Sequence, residues 1–234
     1  MRSDKMTKKG QNENISTKQL IEQEAIKLFY NDGYSKTTLR KIAENCNIEH
    51  PGLFTPHKRK KKQPQKIMNR YFAWLNNESV KFSKTCTKEE WANQYPLLYY
   101  WTLHYVLMKG DEHFSAFQLE YTRNGFESIL AVAIEHTQHL PRLFSNKNYN
   151  KKGNDLFIDV NILAHCEMAL SEMILHKQID INRAVLFAVK VMNLIDDLGI
   201  AITQEMVDGF INKYFPIENR GKYNHLLEMI ENPS

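Results

Sequence analysis

The stretch Thr37–Lys62, TTLRKIAENCNIEHPGLFTPHKRKKK, decides the fold. Leu39, Ile42 and Ala43 recur at spacings that put them on one face of a helix. Thr37 or Thr38 can cap that helix by accepting a backbone N–H bond. Cys46-Asn47-Ile48 breaks the pattern, and asparagine tolerates the left-handed backbone that a sharp helix–helix turn needs. A shorter helix fits from about Glu49 to Thr55, with Leu53 pointing back at the first, and a lysine/arginine run closes the stretch. Helix, turn, short helix and concentrated positive charge predict a helix-turn-helix whose second helix is offered to a nucleic-acid duplex.

Charge supports the same division of the chain. Residues 1–70 hold 16 Lys/Arg against 7 Asp/Glu, a balance of +9, and the remaining residues hold 15 against 20, or −5; the two sum to the +4 of the whole chain. A basic first third on a mildly acidic body predicts a head that binds a polyanion. Residues 1–14 lack apolar periodicity and are expected to form a mobile basic tail. Residues 15–63 then make the helix-turn-helix domain, and 64–234 a larger helical domain.

Within the head, Ser16 and Gln19 form a capping box. Leu20, Ile21, Ala25, Leu28 and Phe29 line one face of the helix that follows, and Gly33 stops it. In the larger domain, Pro64 suits the first turn of a helix running to about Lys84, with Ile67, Met68, Tyr71, Phe72 and Leu75 as its buried stripe. Thr87 can cap the next helix, expected to continue unbroken to Gly110, and a long helix is expected from Asp111 to about Leu140. Helices follow over roughly Asp155–His176, Ile181–Leu198, Thr203–Phe215 and Asn219–Glu231. Asp155–His176 and Ile181–Leu198 are apolar on more than one face and must bury the second face inside their own domain or against a partner subunit. No stretch shows strand-period alternation, so the fold class is all-α.

Several function classes are disfavoured. Cys46, Cys86 and Cys166 are odd in number, far apart and without a CxxC pair, which fits a reducing cytoplasm rather than a disulfide framework or zinc knuckle. The most apolar tract, Ala184–Ile195, is broken by Lys190 and too short to span a bilayer, and no apolar run resembles a signal peptide; a cytoplasmic protein with no membrane partner is expected. No HExxH, GxSxG or phosphate loop occurs, and no cofactor is expected. His136 and His139 lie one turn apart beside Glu135, without a third ligand, so no metal site is assigned. His165, Cys166 and Glu167 are consecutive, point in different directions on a helix and are read as packing residues. The aromatic richness of residues 91–121 is the one hint of a ligand. Tyr95, Tyr99, Trp101, His104, Phe117 and Tyr121 are the candidate lining of a pocket for an apolar or aromatic small molecule.

Taken together, AIKLFYNDGY, TTLRKIAENCNI and the short GLF helix make residues 16–62 resemble the TetR family of one-component transcriptional regulators. The resemblance implies a homodimer, a small-molecule effector in the larger domain and a palindromic double-stranded DNA operator, and favours a repressor over an activator. It assigns Thr37 and Thr38 to the cap of the second helix and to the DNA backbone. His50, Gly52 and Thr55 are assigned to base edges, Phe54 to the place of a phosphate-contacting tyrosine, and Lys58 and Lys60 to the basic start of the fourth helix. The chain departs from the family at Asn47 in place of the turn glycine, at Glu49 in place of the capping serine, and at Pro56, which is expected to end the recognition helix early. An alternative is therefore a helical ligand-binding or protein-interaction module with an impaired DNA-reading head.

Overall fold

A computed structural model describes residues 16–48, 56–124, 153–196 and 201–216. Among them are nine helices and no strand. The first is α1 (Thr17–Asp32), and its N-terminus carries the expected capping box, Ser16 with Gln19. Ala25, Ile26, Leu28 and Phe29 are buried along its inner face. Gly33 ends it at φ 83° with its N–H on the Phe29 carbonyl. Only glycine suits that position: the backbone is left-handed, and an added Cβ would lie 2.9 Å from Glu120 Oε2.

The next helix, α2 (Leu39–Asn45), is capped by Thr38, whose hydroxyl accepts from the Lys41 N–H at 3.1 Å. Ile42 and Ala43 are buried, and Asn47 makes the turn with φ 53°. The expected short helix at Glu49–Thr55 lies outside the described residues.

α3 (Pro56–Ser83) corrects the expected start at Pro64, while the recognition helix that Pro56 is expected to end lies outside the described residues. Pro56 opens the helix, where a missing N–H costs nothing. Pro64 sits inside it and gives up the bond to the carbonyl four residues earlier. Burial of Pro64 together with Ile67, Met68, Tyr71 and Leu75 on one face offsets that loss.

The expected helix from Thr87 to Gly110 is two: α4 (Lys88–Ala92) and α5 (Tyr95–Gly110). Thr87 and Glu90 form a capping box for α4. An unbroken helix would carry Pro96 in its interior. Instead the chain breaks at Gln94, φ 59°, and Pro96 falls in the first turn of α5, where it is tolerated.

α6 (Glu112–Asn124) starts at Asp111, whose carboxylate accepts from the Phe114 N–H at 2.9 Å. Its expected continuation to Leu140 lies outside the described residues, as do His136, His139 and the expected helix at Asn219–Glu231. α7 (Gly153–Leu175) and α8 (Ile181–Asp196) agree with expectation to within a few residues and meet at a turn with Lys177 at φ 57°. Thr203 caps α9 (Gln204–Tyr214), which ends just before Pro216.

α5 is the axis of the body. Every residue from Tyr100 to Met108 is buried, and α3, α4, α6, α7, α8 and α9 all pack against it. A helix apolar all round must be enclosed in this way. One continuous core runs from Ala25 in α1 to Phe215 beyond α9, so the head is seated directly on the body. α7 and α8, by contrast, keep large apolar side chains exposed: Phe157, Ile158, Ile162 and Met173 on α7, Phe187 and Leu194 on α8.

Candidate functional site

In the head, the two threonines assigned to one role divide it. Thr38 is exposed and caps α2. Thr37 is fully buried, and its hydroxyl donates to the Leu28 carbonyl at 3.0 Å and the Gly33 carbonyl at 2.8 Å. Thr37 therefore locks the α1–α2 corner and presents nothing to a DNA backbone. His50, Gly52, Phe54 and Thr55 lie outside the described residues. Lys58 and Lys60 fall in the first turns of α3, and their side chains also lie outside them.

Part of the head's positive charge holds the head together. Glu22 on α1 accepts from Lys66 at 3.0 Å and from Arg70 at 2.7 Å, tying α1 to α3. Lys41 pairs with Asp32 at 3.0 Å across the corner. Arg40 pairs with Glu44 on the same exposed face of α2 at 2.8 Å.

The corner is also bolted to α6. The Tyr30 hydroxyl donates to Asp111 Oδ2 at 2.6 Å, and the Ser35 N–H donates to Glu120 at 3.0 Å. Burial pushes the Tyr30 phenol up, and the Asp111 carboxylate adds to the shift, so this proton stays on the phenol. Between the two bonds, Phe29 packs on Phe117 and Tyr34 on Tyr121, with centroids 5.9 and 5.4 Å apart.

The six candidate pocket residues do not converge. Phe117 and Tyr121 belong to this head–body junction. Tyr95 and Tyr99 belong to a second group that closes the far end of the body: Tyr99 stacks on Phe82 at 4.2 Å, and Tyr95 meets Phe210 edge-on at 5.1 Å. Trp101 and His104 face a third region, at the centre, which is polar.

There His104, buried to 1 % exposure, bridges two helices. Its Nδ1 is 2.6 Å from the Tyr71 hydroxyl of α3, and its Nε2 is 2.8 Å from Glu167 Oε1 of α7. Burial drives the Tyr71 phenol well above its ordinary range, with Tyr100, Glu167 and Tyr105 adding to it. Tyr71 therefore keeps its proton, and the imidazole links the phenol to the carboxylate through its two ring nitrogens. Glu167 Oε1 accepts further bonds from Gln118 Nε2 at 3.1 Å and Ser171 Oγ at 2.9 Å. Tyr100 and Tyr105, both shifted up by burial and then by Glu167, complete the surroundings. Trp101 lies over Tyr105 at 5.8 Å and donates its indole N–H to Met192 Sδ.

Glu167 is thus the hub of the buried polar network, and reading residues 165–167 as packing alone misses it. His165 is exposed, with Nδ1 donating to the Asn161 carbonyl, and Cys166 is half-buried, so the three do point in different directions. A usable signal was present: Glu167 has Leu163, Leu170 and Ser171 at its helical neighbour positions, so its face of α7 is the buried one. Among the described residues no group of histidine, cysteine and carboxylate side chains is arranged to hold a metal ion. No helix among them is long and apolar enough to cross a membrane. No protein-family model, curated protein or solved structure matches this chain.

Proposed function

We propose that the protein is a ligand-responsive, DNA-binding transcriptional regulator of the TetR type, acting in the cytoplasm as a homodimer on a palindromic operator, and a repressor rather than an activator. The observation that carries this reading is the α1–α2 corner. Thr38 caps α2, Asn47 turns the chain in a left-handed conformation, and Thr37 locks the corner from beneath. That is the scaffold a recognition segment needs at residues 49–55, ahead of the basic start of α3. Phosphate contacts from the basic run would set the head's register, and base edges would be read from the recognition segment.

The apolar side chains left exposed on α7 and α8 support dimerisation. Phe157, Ile158, Ile162, Phe187 and Leu194 would be covered by the same helices of a second copy, forming a four-helix bundle between subunits. Regulation follows from the seating of head on body. Because Tyr30 and Ser35 are tied to α6, a ligand that shifts α6 or α5 changes the spacing of the two heads. Two heads must match half-sites about 34–36 Å apart, so a small rotation suffices to favour release.

Selection of duplexes from a random pool at about 150 mM salt, where bare phosphate attraction has weakened, tests the proposal. Enrichment of a palindrome is the expected result. A salt-sensitive protein that binds every duplex alike, with the dimer intact, would mean that the head holds phosphates without reading sequence, and would favour the helical-module alternative.

A further inference from the structure

The polar network at the centre of the body has features that a structural hydrogen-bond cluster does not need. Glu167 brings a carboxylate into an apolar helical body, and among the described residues no lysine or arginine pairs with it. His104, Gln118 and Ser171 all converge on its Oε1. The Glu167 side chain keeps 14 % exposure, and a carboxylate so largely withdrawn from water is costly unless charge as well as hydrogen bonds compensates it. Gln118 is pinned by its Nε2 bond to Glu167, which leaves its Oε1 buried with no donor. The Tyr105 hydroxyl, on a side chain with no exposure, is likewise without a partner. Orphaned acceptors of this kind in a native interior call for an explanation.

The walls are aromatic. Tyr105 lies against His104 with centroids 5.0 Å apart and against Trp101 at 5.8 Å, and Trp101 meets Tyr100 edge-on at 5.3 Å. Ring faces attract cations, and the attraction is largest where water is excluded. A carboxylate with a histidine but no lysine or arginine on it, two orphaned oxygens able to accept, and a tyrosine/tryptophan lining all favour the same ligand charge. We propose that the body binds a protonated organic amine, its ammonium directed at Glu167 and Gln118 Oε1 and its apolar part against Trp101, Tyr100 and Tyr105. Gln118 Oε1 needs an N–H donor, so a primary ammonium fits better than a quaternary one. The inference rests on the reading that the helical body receives a small ligand, and it supplies the chemical class of that ligand.

A matched series tests it on the full-length dimer. Phenylethylammonium and phenylbutylammonium are compared with phenylethanol and phenylbutanol, and with phenylacetate and phenylbutyrate, by calorimetry and by quenching of tryptophan fluorescence. At least one ammonium ion should bind about tenfold or more tightly than its alcohol, and the carboxylates should bind most weakly. Glu167→Gln keeps the shape and an acceptor for His104 and should abolish the preference for the cation. Should that variant fail to fold, Gln118→Met leaves Glu167 its bonds to His104 and Ser171, removes the orphaned oxygen and should reduce the preference several-fold. A series in which no ammonium outbinds its alcohol, including one in which nothing binds, overturns the inference; so does a preference that survives in both variants. Operator selection is read separately. A Glu167-dependent amine preference without an enriched palindrome removes the regulator reading alone, and an enriched palindrome without the preference removes this inference alone.

Discussion

The turn from α1 into α2 is shaped by bonds between near neighbours and only then tied to α6, whereas α5 is held by side chains that arrive from helices far along the chain. Ser16 bonds Gln19 at the start of α1, and at the corner Thr38 bonds Lys41 and Thr37 bonds Gly33, all within four residues. Around α5, His104 reaches Glu167 and Trp101 reaches Met192, 63 and 91 residues away. Local devices set the direction of the chain and contribute about 1 kcal/mol each. Packing around α5 supplies the stability that keeps those directions fixed. Under the proposed function the same line would divide the work, the corner aiming a recognition segment and the surroundings of α5 receiving the ligand.

The largest break in this comparison should come where the two regions meet. Phe117 is 1 % exposed and packs against Phe29, Phe114 and Tyr121. Phe117→Ala should destabilise the protein by about 3–5 kcal/mol, measured by denaturant unfolding. Both regions should lose stability in a single transition, because one core runs through them. A loss below about 1 kcal/mol, or a head that melts separately, would show that the corner is stable without the body.

Tyr30→Phe probes the same junction more gently. The phenol donates to the Asp111 carboxylate at 2.6 Å, and bonds to charged groups contribute about 1.5–3 kcal/mol. Loss in that range is expected by denaturant unfolding, together with faster amide exchange along α1. Unchanged exchange in α1 would mean that Ser35 and the ring contacts seat the head without this bond.

The same division explains what could be read from residues alone. Caps and stops are short-range chemistry, so Ser16, Gly33, Thr38, Asn47, Thr87 and Thr203 all fall where spacing places them. Prolines were harder. Pro56 and Pro96 each open a helix, and Pro64 lies inside one, because burial on one face of α3 outweighs one lost bond. The candidate pocket was legible only as an aromatic excess. Nothing local sorts Tyr95 and Tyr99 to one end of the body, Trp101 and His104 to its centre, and Phe117 and Tyr121 to the junction. Glu167 was hidden for a related reason: its partners lie on α5 and α6, and only tertiary packing brings them together.

The smallest effect should come from a device that combines the two modes. Glu90 caps α4 locally, through the Thr87 N–H at 2.9 Å, and also accepts from Tyr214 at 2.6 Å and Lys213 at 3.1 Å on α9. The Tyr214 bond contributes most, followed by the Thr87 N–H and the Lys213 bond; together they hold the Glu90 carboxyl at about 2, well below its ordinary 4.5. A carboxyl lowered in the folded state stabilises the fold above its unfolded value, and that contribution is lost as pH falls through the folded value. Removing the phenol with Tyr214→Phe should let the Glu90 carboxyl rise toward its ordinary value. Thermal melts of the two proteins should therefore differ by a constant small amount above about pH 5 and converge as pH falls toward about 2. A gap that stays open at the acid end would mean that the Tyr214 hydroxyl stabilises the fold independently of the Glu90 charge, whereas no gap at any pH would mean that the ring packing on Phe82 and Phe210, which the variant keeps, carries this contact alone.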